Sequence, residues 1–295
     1  PAPSQSPGAA FMIATTRRPE PQQVGHPTAC RADHGRANPG DTNVDVTNIS
    51  VSNIGVMDFV GRDAELASLR KHLDGVRHGT GRMLSVRGRR QVGKSRLISE
   101  FAQQANVPQL FVTGSRQASL AADLEAFRQD ARIGSTLPGA ELLSTTPYQT
   151  WEQALRTVGA ALPTDGPAIV VLDELPWLLE RDRGLDGTIQ KIWDRILEQR
   201  QILLILVGSD LSVMEMLTNH DRPLYGRARE MVVAPLHVGD TAQLGGIDLS
   251  EPGGSALAFD AFLLTGGYPR LVAEWRRTPT VEEFLAEQLA DESTD

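Results

Sequence analysis

From residue 59 onward, apolar side chains recur with two spacings, and the order in which these alternate predicts the fold. Leu66, Leu69 and Leu73 follow a helical period behind Asp63, the predicted N-cap, and the pattern breaks at Gly79-Thr80-Gly81. A short apolar run at 83–86 predicts a buried strand, and residues 94–105 place Leu97, Ile98 and Phe101 on one helical face. The alternation continues with a strand over 110–113, a helix over 119–131 with Leu120, Leu124 and Phe127 inward, a loop over 138–147 and a helix over 151–162. A strand over 168–172, a helix over 187–198, a strand over 202–207, a helix over 211–217 and a strand over 231–233 complete the series. Strands separated by helices predict a parallel sheet covered on both faces. After Pro235 only short helical patterns remain, at 256–264, 271–277 and 281–289, so an α/β core over 57–236 is expected to lead into a small helical unit over 237–295.

Residues 1–56 carry few large apolar groups and no sustained period, which predicts disorder. The chain begins with Pro1, whereas Met57-Asp58-Phe59-Val60-Gly61-Arg62 would make a compact start for the folded part; the tract is expected to be an upstream extension or a fragment end. The 295 residues, 40% hydrophobic, suffice for one medium or two small domains with a real core. Cys30 is the one cysteine, so neither an intramolecular disulfide nor a cysteine metal cluster forms, and a reducing, cytoplasmic setting is expected. The apolar run at 202–207 is too short to span a bilayer, and no membrane association is expected. A net charge of -8 gives no general pull toward nucleic acid.

Candidate chemistry concentrates in Gly88-Arg89-Arg90-Gln91-Val92-Gly93-Lys94-Ser95, which fits the phosphate-loop pattern G-x-x-x-x-G-K-[ST] between a predicted strand and a predicted helix. Glycines let the backbone wrap a phosphate, its N–H groups point inward, and the helix N-terminus favours negative charge. Lys94 is expected to reach the β- and γ-phosphates of ATP, and the Ser95 hydroxyl to ligate Mg²⁺. Arg96 follows in the first turn and, with Arg87, Arg89 and Arg90, forms the local basic cluster on which a weaker, DNA-directed reading would depend.

The run Ile169-Val170-Val171-Leu172 ends in Asp173-Glu174. Beside a phosphate-loop strand, Asp173 is placed to support Mg²⁺, and Glu174 to accept a proton from an attacking water as general base. The second acid favours hydrolysis over transfer to a metabolite. Ser209, at the end of the 202–207 run, is a candidate to sense the γ-phosphate or orient water; capping the helix that starts at Leu211 is the alternative role. Trp177 and Leu178 are expected in the core.

Together these motifs resemble the P-loop ATPases with an additional central strand and a catalytic glutamate, within them the AAA+/STAND-like archaeal-type ATPase family, over about residues 57–275. The resemblance rests further on Phe59-Val60-Gly61-Arg62, on Gly208-Ser209, on Pro223-Leu224-Tyr225-Gly226-Arg227 and on Gly266-Gly267-Tyr268-Pro269-Arg270. It implies a three-layer P-loop fold with an extra strand between the phosphate-loop strand and the Asp-Glu strand, followed by a helical lid. It also implies adenine near Val60 and Gly61, and Arg270 as a lid arginine reaching the γ-phosphate. Arg227 looks like an arginine finger acting on a neighbouring copy, which implies a homo-oligomer; pairing with a nearby acid such as Glu230 is the alternative. Family members commonly continue into an output module, so the lid is expected to be truncated at its C-terminus. The resulting expectation is an Mg²⁺-dependent ATPase that drives a conformational switch or remodels an unidentified protein partner, with a non-catalytic nucleotide switch as the second reading.

Overall fold

A computed structural model of the chain describes residues 59–77, 79–116, 119–278 and 280–290, with side chains described through 288. The 1–56 tract, with Cys30, lies outside the described residues. Within them, α1 (Asp63–Arg77) precedes β1 (Arg82–Arg87), α2 (Lys94–Ala105) and β2 (Gln109–Thr113). Then come α3 (Leu120–Gly134), α4 (Ala140–Thr145), α5 (Trp151–Ala161) and β3 (Ala168–Asp173). The series α6 (Leu175–Arg181), α7 (Leu185–Ile192), β4 (Ile202–Gly208), α8 (Leu211–Leu217) and β5 (Ala228–Val232) completes the α/β part. Helices α9 (Val238–Gly245), α10 (Gly254–Thr265), α11 (Pro269–Trp275) and α12 (Val281–Ala290) follow.

The five strands pair in parallel in the order β2-β3-β4-β1-β5, so β4 lies between the phosphate-loop strand β1 and the Asp-Glu strand β3. This is the expected three-layer P-loop arrangement with its extra strand. Its cause is visible in the two central runs, whose residues are buried without exception. Because successive side chains point to opposite faces, each run feeds two cores. Ala168, Val170, Leu172, Ile202, Leu204 and Leu206 face the layer that contains Phe127, Trp151 and Leu155. Ile169, Val171, Leu203, Ile205 and Val207 face α1 and α2, through Leu69, Leu73, Leu97 and Phe101.

Register determines what emerges at the carboxyl edge. Arg87 lies opposite Gly208 and Leu172 opposite Leu206, which brings Gly88, Ser209 and Glu174 out of adjacent strands at one edge. Gly208 itself is forced: a Cβ there would lie 2.5 Å from Met214 Sδ and 2.7 Å from Pro176 Cδ.

Several local expectations are corrected. The 138–147 loop contains α4, which sets one apolar residue, Leu143, into the core and ends where Thr146 N donates to Leu142 O at 3.2 Å. Helix α6 was hidden by its second residue, Pro176, which fits the first turn because that position needs no N–H donor. Asp63 opens α1 rather than capping it. The 187–198 segment starts earlier, at Leu185, and its last part, Trp193–Leu197, widens into a π-helix. Helix α9 precedes the three expected short helices. Val60, Leu236, Leu244 and Val272 form one small apolar cluster among these helices, and Ala261, Trp275 and Phe284 another.

One buried group works against stability. Asp123, 2% exposed in the first turn of α3, has both carboxylate oxygens buried without a well-formed hydrogen bond, and the Ser115 N–H and the Arg181 charge only partly offset that burial. Burial raises its pKa above the ordinary carboxylate value, so the folded state holds the proton more tightly than the unfolded state does, and stability falls as pH rises through that interval. Asp123→Asn is expected to raise the melting temperature at pH 7 by about 3 °C, what ~1 kcal/mol is worth in a chain of this size, with the gain shrinking below about pH 4. Calorimetry at the two pH values checks this; an equal shift at both would overturn the burial argument.

Candidate functional site

The 88–95 segment is a loop whose backbone requires its glycines. Gly93 has φ 93°, in the left-handed region, and Gln91 adopts φ 61° without being glycine. A Cβ at Gly88 would come within 2.5 Å of Val233 O, the backbone just past β5. Val92 is fully buried in the α1–α2 core, which anchors the loop, while Arg89, Arg90 and Gln91 are exposed around it. Ser95 and Arg96 lie exposed on the first turn of α2.

Lys94 is 5% exposed, and its ammonium donates to Gly88 O at 2.9 Å, to Arg89 O at 3.0 Å and to Ser209 Oγ at 2.9 Å. Ser209 in turn donates to Glu174 Oε1 at 2.9 Å. The predicted residues of three separate segments thus join in one hydrogen-bonded line from the loop lysine to the strand-end acid. Burial pulls the Lys94 pKa below its ordinary value, and the nearby Glu174 and Asp173 carboxylates oppose that shift. Asp173, 9% exposed, accepts from Glu174 N at 2.9 Å. Glu174 is held in the left-handed region, φ 52°, at the junction of β3 and α6, which turns its side chain toward Ser209. The cap of α8 is Asp210, whose side chain accepts from Val213 N at 3.0 Å; Ser209 is left for the Lys94–Glu174 line.

The residues ahead of α1 pack against the loop and against the segments that follow β5. Gly61, φ 66°, stands where a side chain would collide with the Asp240 carboxylate, and Val60 packs on Leu236, Leu244 and Val272. Arg62, which sequence reasoning left without a role, is 7% exposed and also left-handed, φ 67°. Its guanidinium donates to Ala234 O at 2.6 Å, to Glu65 Oε1 at 2.9 Å and to Val92 O at 2.9 Å. It therefore ties the phosphate loop to the segment that leads into α9. The glycine-arginine pair before a helical acid was the signal available in the sequence. Helix α11 begins beside the loop: a Cβ on Gly93 would lie 3.6 Å from Pro269 Cγ. Arg270, next in α11, is exposed and paired with Glu274 at 3.3 Å.

Arg227 is not part of this cluster. It leads into the amino end of β5 and holds Asp194 through two hydrogen bonds, 2.7 and 2.8 Å. The acid it pairs with is Asp194; Glu230 instead meets Arg87 and Thr218. Arg87, from the basic cluster, is engaged by Glu215 at 2.7 Å. Trp177 is corrected as well: it is half-buried beneath the Arg90 guanidinium, 5.8 Å from the ring centre, while its neighbour Leu178 is in the core. Arg90 and Trp177 face a cavity of about 750 Å³ between α6 and α8 that reaches Glu174 and Ser209.

The donor set fits Mg-ATP. A buried ammonium beside a backbone cradle suits phosphate, and an exposed hydroxyl at Ser95 with a carboxylate at Asp173 suits a hard cation that takes its remaining ligands from phosphate and water. Among the described residues there is no group of three or more His, Cys, Asp or Glu that would hold a metal by protein ligands alone. No helix among them is long and apolar enough to cross a membrane.

Sheet order and loop together define a P-loop NTPase, with its additional strand beside the phosphate-loop strand. Residues 58–188 match the family model of the AAA ATPase domain. Over that stretch the chain is similar to AAA ATPase domains, and its fold is that of a P-loop nucleotide-binding domain. Among solved structures, a Walker-type ATPase of Pyrococcus abyssi is similar at 20% identity and TM-score 0.56, over 79% of this chain and 72% of that one. The ORC1 protein of Aeropyrum pernix in complex with DNA is similar at 15% identity and TM-score 0.56, over 80% of this chain and 66% of that one. Drosophila ORC bound to DNA gives 12% identity and TM-score 0.56, over 79% and 68%. At these identities the likeness is one of fold. An uncharacterized protein of Methanocaldococcus jannaschii is 40% identical over 45 residues, which cover 15% of this chain and 44% of that relative.

The Arg62 staple yields a stability prediction. Arg62→Ala strands two backbone carbonyls and a carboxylate, and should lower the unfolding free energy by about 2–4 kcal/mol. Urea titration of the full chain measures it; a loss below about 1 kcal/mol would mean that the carbonyls find other donors.

Proposed function

We propose that the chain binds Mg-ATP at the phosphate loop, hydrolyses it, and uses the two nucleotide states to reposition α9–α12 and so act on a protein partner. The observation that carries this reading is the line Lys94–Ser209–Glu174, which links the phosphate-binding lysine to the strand-end acid through one hydroxyl. On ATP binding, the Lys94 ammonium exchanges the Gly88 and Arg89 carbonyls for phosphate oxygens, a charge-assisted and stronger contact. The backbone N–H groups of residues 88–95 surround the same phosphates, and Val60 and Gly61 are the candidates to face the adenine. Ser95 and Asp173 would hold Mg²⁺, which when bound neutralises developing phosphate charge. Glu174 accepts the proton of the attacking water as oxygen bonds to the γ-phosphorus and the bridging bond to ADP breaks. Ser209 fixes the carboxylate's orientation, and Arg270 in α11 is the candidate that reports the γ-phosphate to the helical unit over 237–295 as a lid.

A slower nucleotide switch is the second reading. It is favoured by the engagement of Glu174 Oε1 with Ser209, which ties one of the two carboxylate oxygens to the protein rather than to an attacking water. Nucleotide binding and steady-state phosphate release test the proposal together. Lys94→Ala should abolish most ATP binding by titration calorimetry, whereas Glu174→Gln should keep binding and lower release by roughly 10²- to 10⁴-fold. Unchanged binding in the first variant removes the pocket assignment; near-normal release in the second gives the base role to another residue.

Arg227 is proposed as a finger that completes the site of a second copy, after release from Asp194. Such a residue is worth roughly 10³-fold or more in rate with little effect on ground-state binding. Arg227→Ala and Glu174→Gln should each be inactive alone, yet their mixture should regain activity at interfaces that pair an intact Glu174 with an intact Arg227. A mixture that co-assembles, binds ATP and stays inactive assigns Arg227 to the Asp194 pair alone.

A further inference from the structure

The cavity of about 750 Å³ between α6 and α8 falls in the size range of ligand sites. It adjoins the phosphate cradle and shares Glu174 and Ser209 with it. We propose that it is a docking site for an acidic peptide segment of a partner protein, one with a carboxylate next to an apolar side chain, and that its occupancy acts on hydrolysis through Glu174. This rests on the reading of the chain as an ATPase that acts on a protein, and it specifies that partner's chemistry.

The charges in the wall are unevenly committed. Each carboxylate there already has a partner: Glu174 accepts from Ser209, Asp210 caps α8, and Glu180 meets Arg181 at 3.7 Å. Arg222 is likewise held, by Asp186 at 2.5 Å. Arg90, Arg116 and Arg183 differ: among the described residues no carboxylate lies within ion-pair distance of any of them, and Arg90 rests only on the face of Trp177. The unsatisfied charge of the cavity is therefore cationic. Guanidinium is planar and takes a carboxylate through two parallel hydrogen bonds, so arginines suit this role better than lysines.

The remaining wall selects between anions. Pro176, Leu179, Val213 and Met216 supply an aliphatic surface, and Met216 is 41% exposed. That surface has no use for a bare phosphate but accommodates an apolar side chain beside the acid. A long nucleic-acid strand would also meet the repulsion of a chain with net charge -8, whereas a short segment needs only the local arginines. Coupling follows from position. Arg90 belongs to the phosphate loop by its backbone and to the cavity by its side chain, and Glu174 lies in the wall. A carboxylate that draws Arg90 off Trp177 moves the loop and the surroundings of the base together.

Random twelve-residue peptides displayed on phage, panned on the full chain without nucleotide and counter-selected on Arg116→Glu/Arg183→Glu, test the proposal. Selected peptides should place Asp or Glu next to an aromatic or aliphatic residue. By fluorescence anisotropy, a selected peptide should lose affinity roughly tenfold or more on the double variant, and equally on amidation of its own acids. The peptide should change phosphate release by the wild-type chain but not by the double variant, whose nucleotide binding and basal release stay normal because neither arginine touches the nucleotide site. Arg183→Glu alone, with thermal melting, keeps the test valid if the double variant fails to fold. Peptides without acidic enrichment, binding indifferent to both charge reversals, or tight binding of an oligothymidylate of about 20 nucleotides that the reversals abolish would each overturn the proposal. Acidic peptides that bind as expected to a chain without ATP affinity would instead sink the ATPase reading and leave the docking site standing.

Discussion

A lysine ammonium buried at 5% exposure cannot remain without acceptors, and the way this chain supplies them organises the rest of the site. Two acceptors are carbonyls of the loop's own start, Gly88 and Arg89, and the third is a hydroxyl just past β4, three strands further along the sequence. Loop, β4 and β3 must therefore meet at a common level. The parallel register provides that, since Arg87 lies opposite Gly208 and Leu172 opposite Leu206. The insertion of β4 between β1 and β3 makes room for Ser209 between Lys94 and Glu174; without it the ammonium and the carboxylate would be direct neighbours.

The same ammonium explains why the surroundings are so tightly drawn. Its acceptors are fixed only if the loop is fixed, and the loop is held from beneath by Val92 in the core and from the side by Arg62. Arg62 also donates to Ala234, in the backbone between β5 and α9. Leu236 N then donates to Gly267 O at 2.9 Å, one residue pair before α11. The four helices after β5 are thus connected to the phosphate loop by backbone carbonyls and one guanidinium, and not solely by apolar packing.

Fold class was legible in the sequence because the central runs at 168–172 and 202–207 are apolar at every position, which only a doubly covered strand tolerates, and because the phosphate loop stood between a strand and a helix. The line Lys94–Ser209–Glu174 was legible as three separate residues, and their joining was not, since strand order and register are long-range facts. Helix α4 escaped notice because six residues with one inward leucine carry no period, and Pro138 and Pro147 punctuate both sides. Trp177 was misread because an indole after a buried strand usually packs inward, whereas here its neighbours Leu175 and Leu178 take the core and its ring lies under Arg90. The partner of Arg227 was misplaced because Asp194 lies 33 residues earlier in the sequence, beyond any local rule.

Four non-glycine residues among those described adopt positive φ, and three of them, Arg62, Gln91 and Glu174, surround the nucleotide site; the fourth, Asn106, ends α2. A side chain in that region costs about 1–2 kcal/mol relative to an ordinary backbone, and glycine avoids the cost. The chain places a guanidinium, an amide and a carboxylate there instead. Selection for thermal resistance alone, acting on a random library, would therefore drift toward glycine or asparagine at the very positions that hold the loop and present the strand-end carboxylate. The most heat-resistant descendants of this sequence would be those that had forgotten what it does.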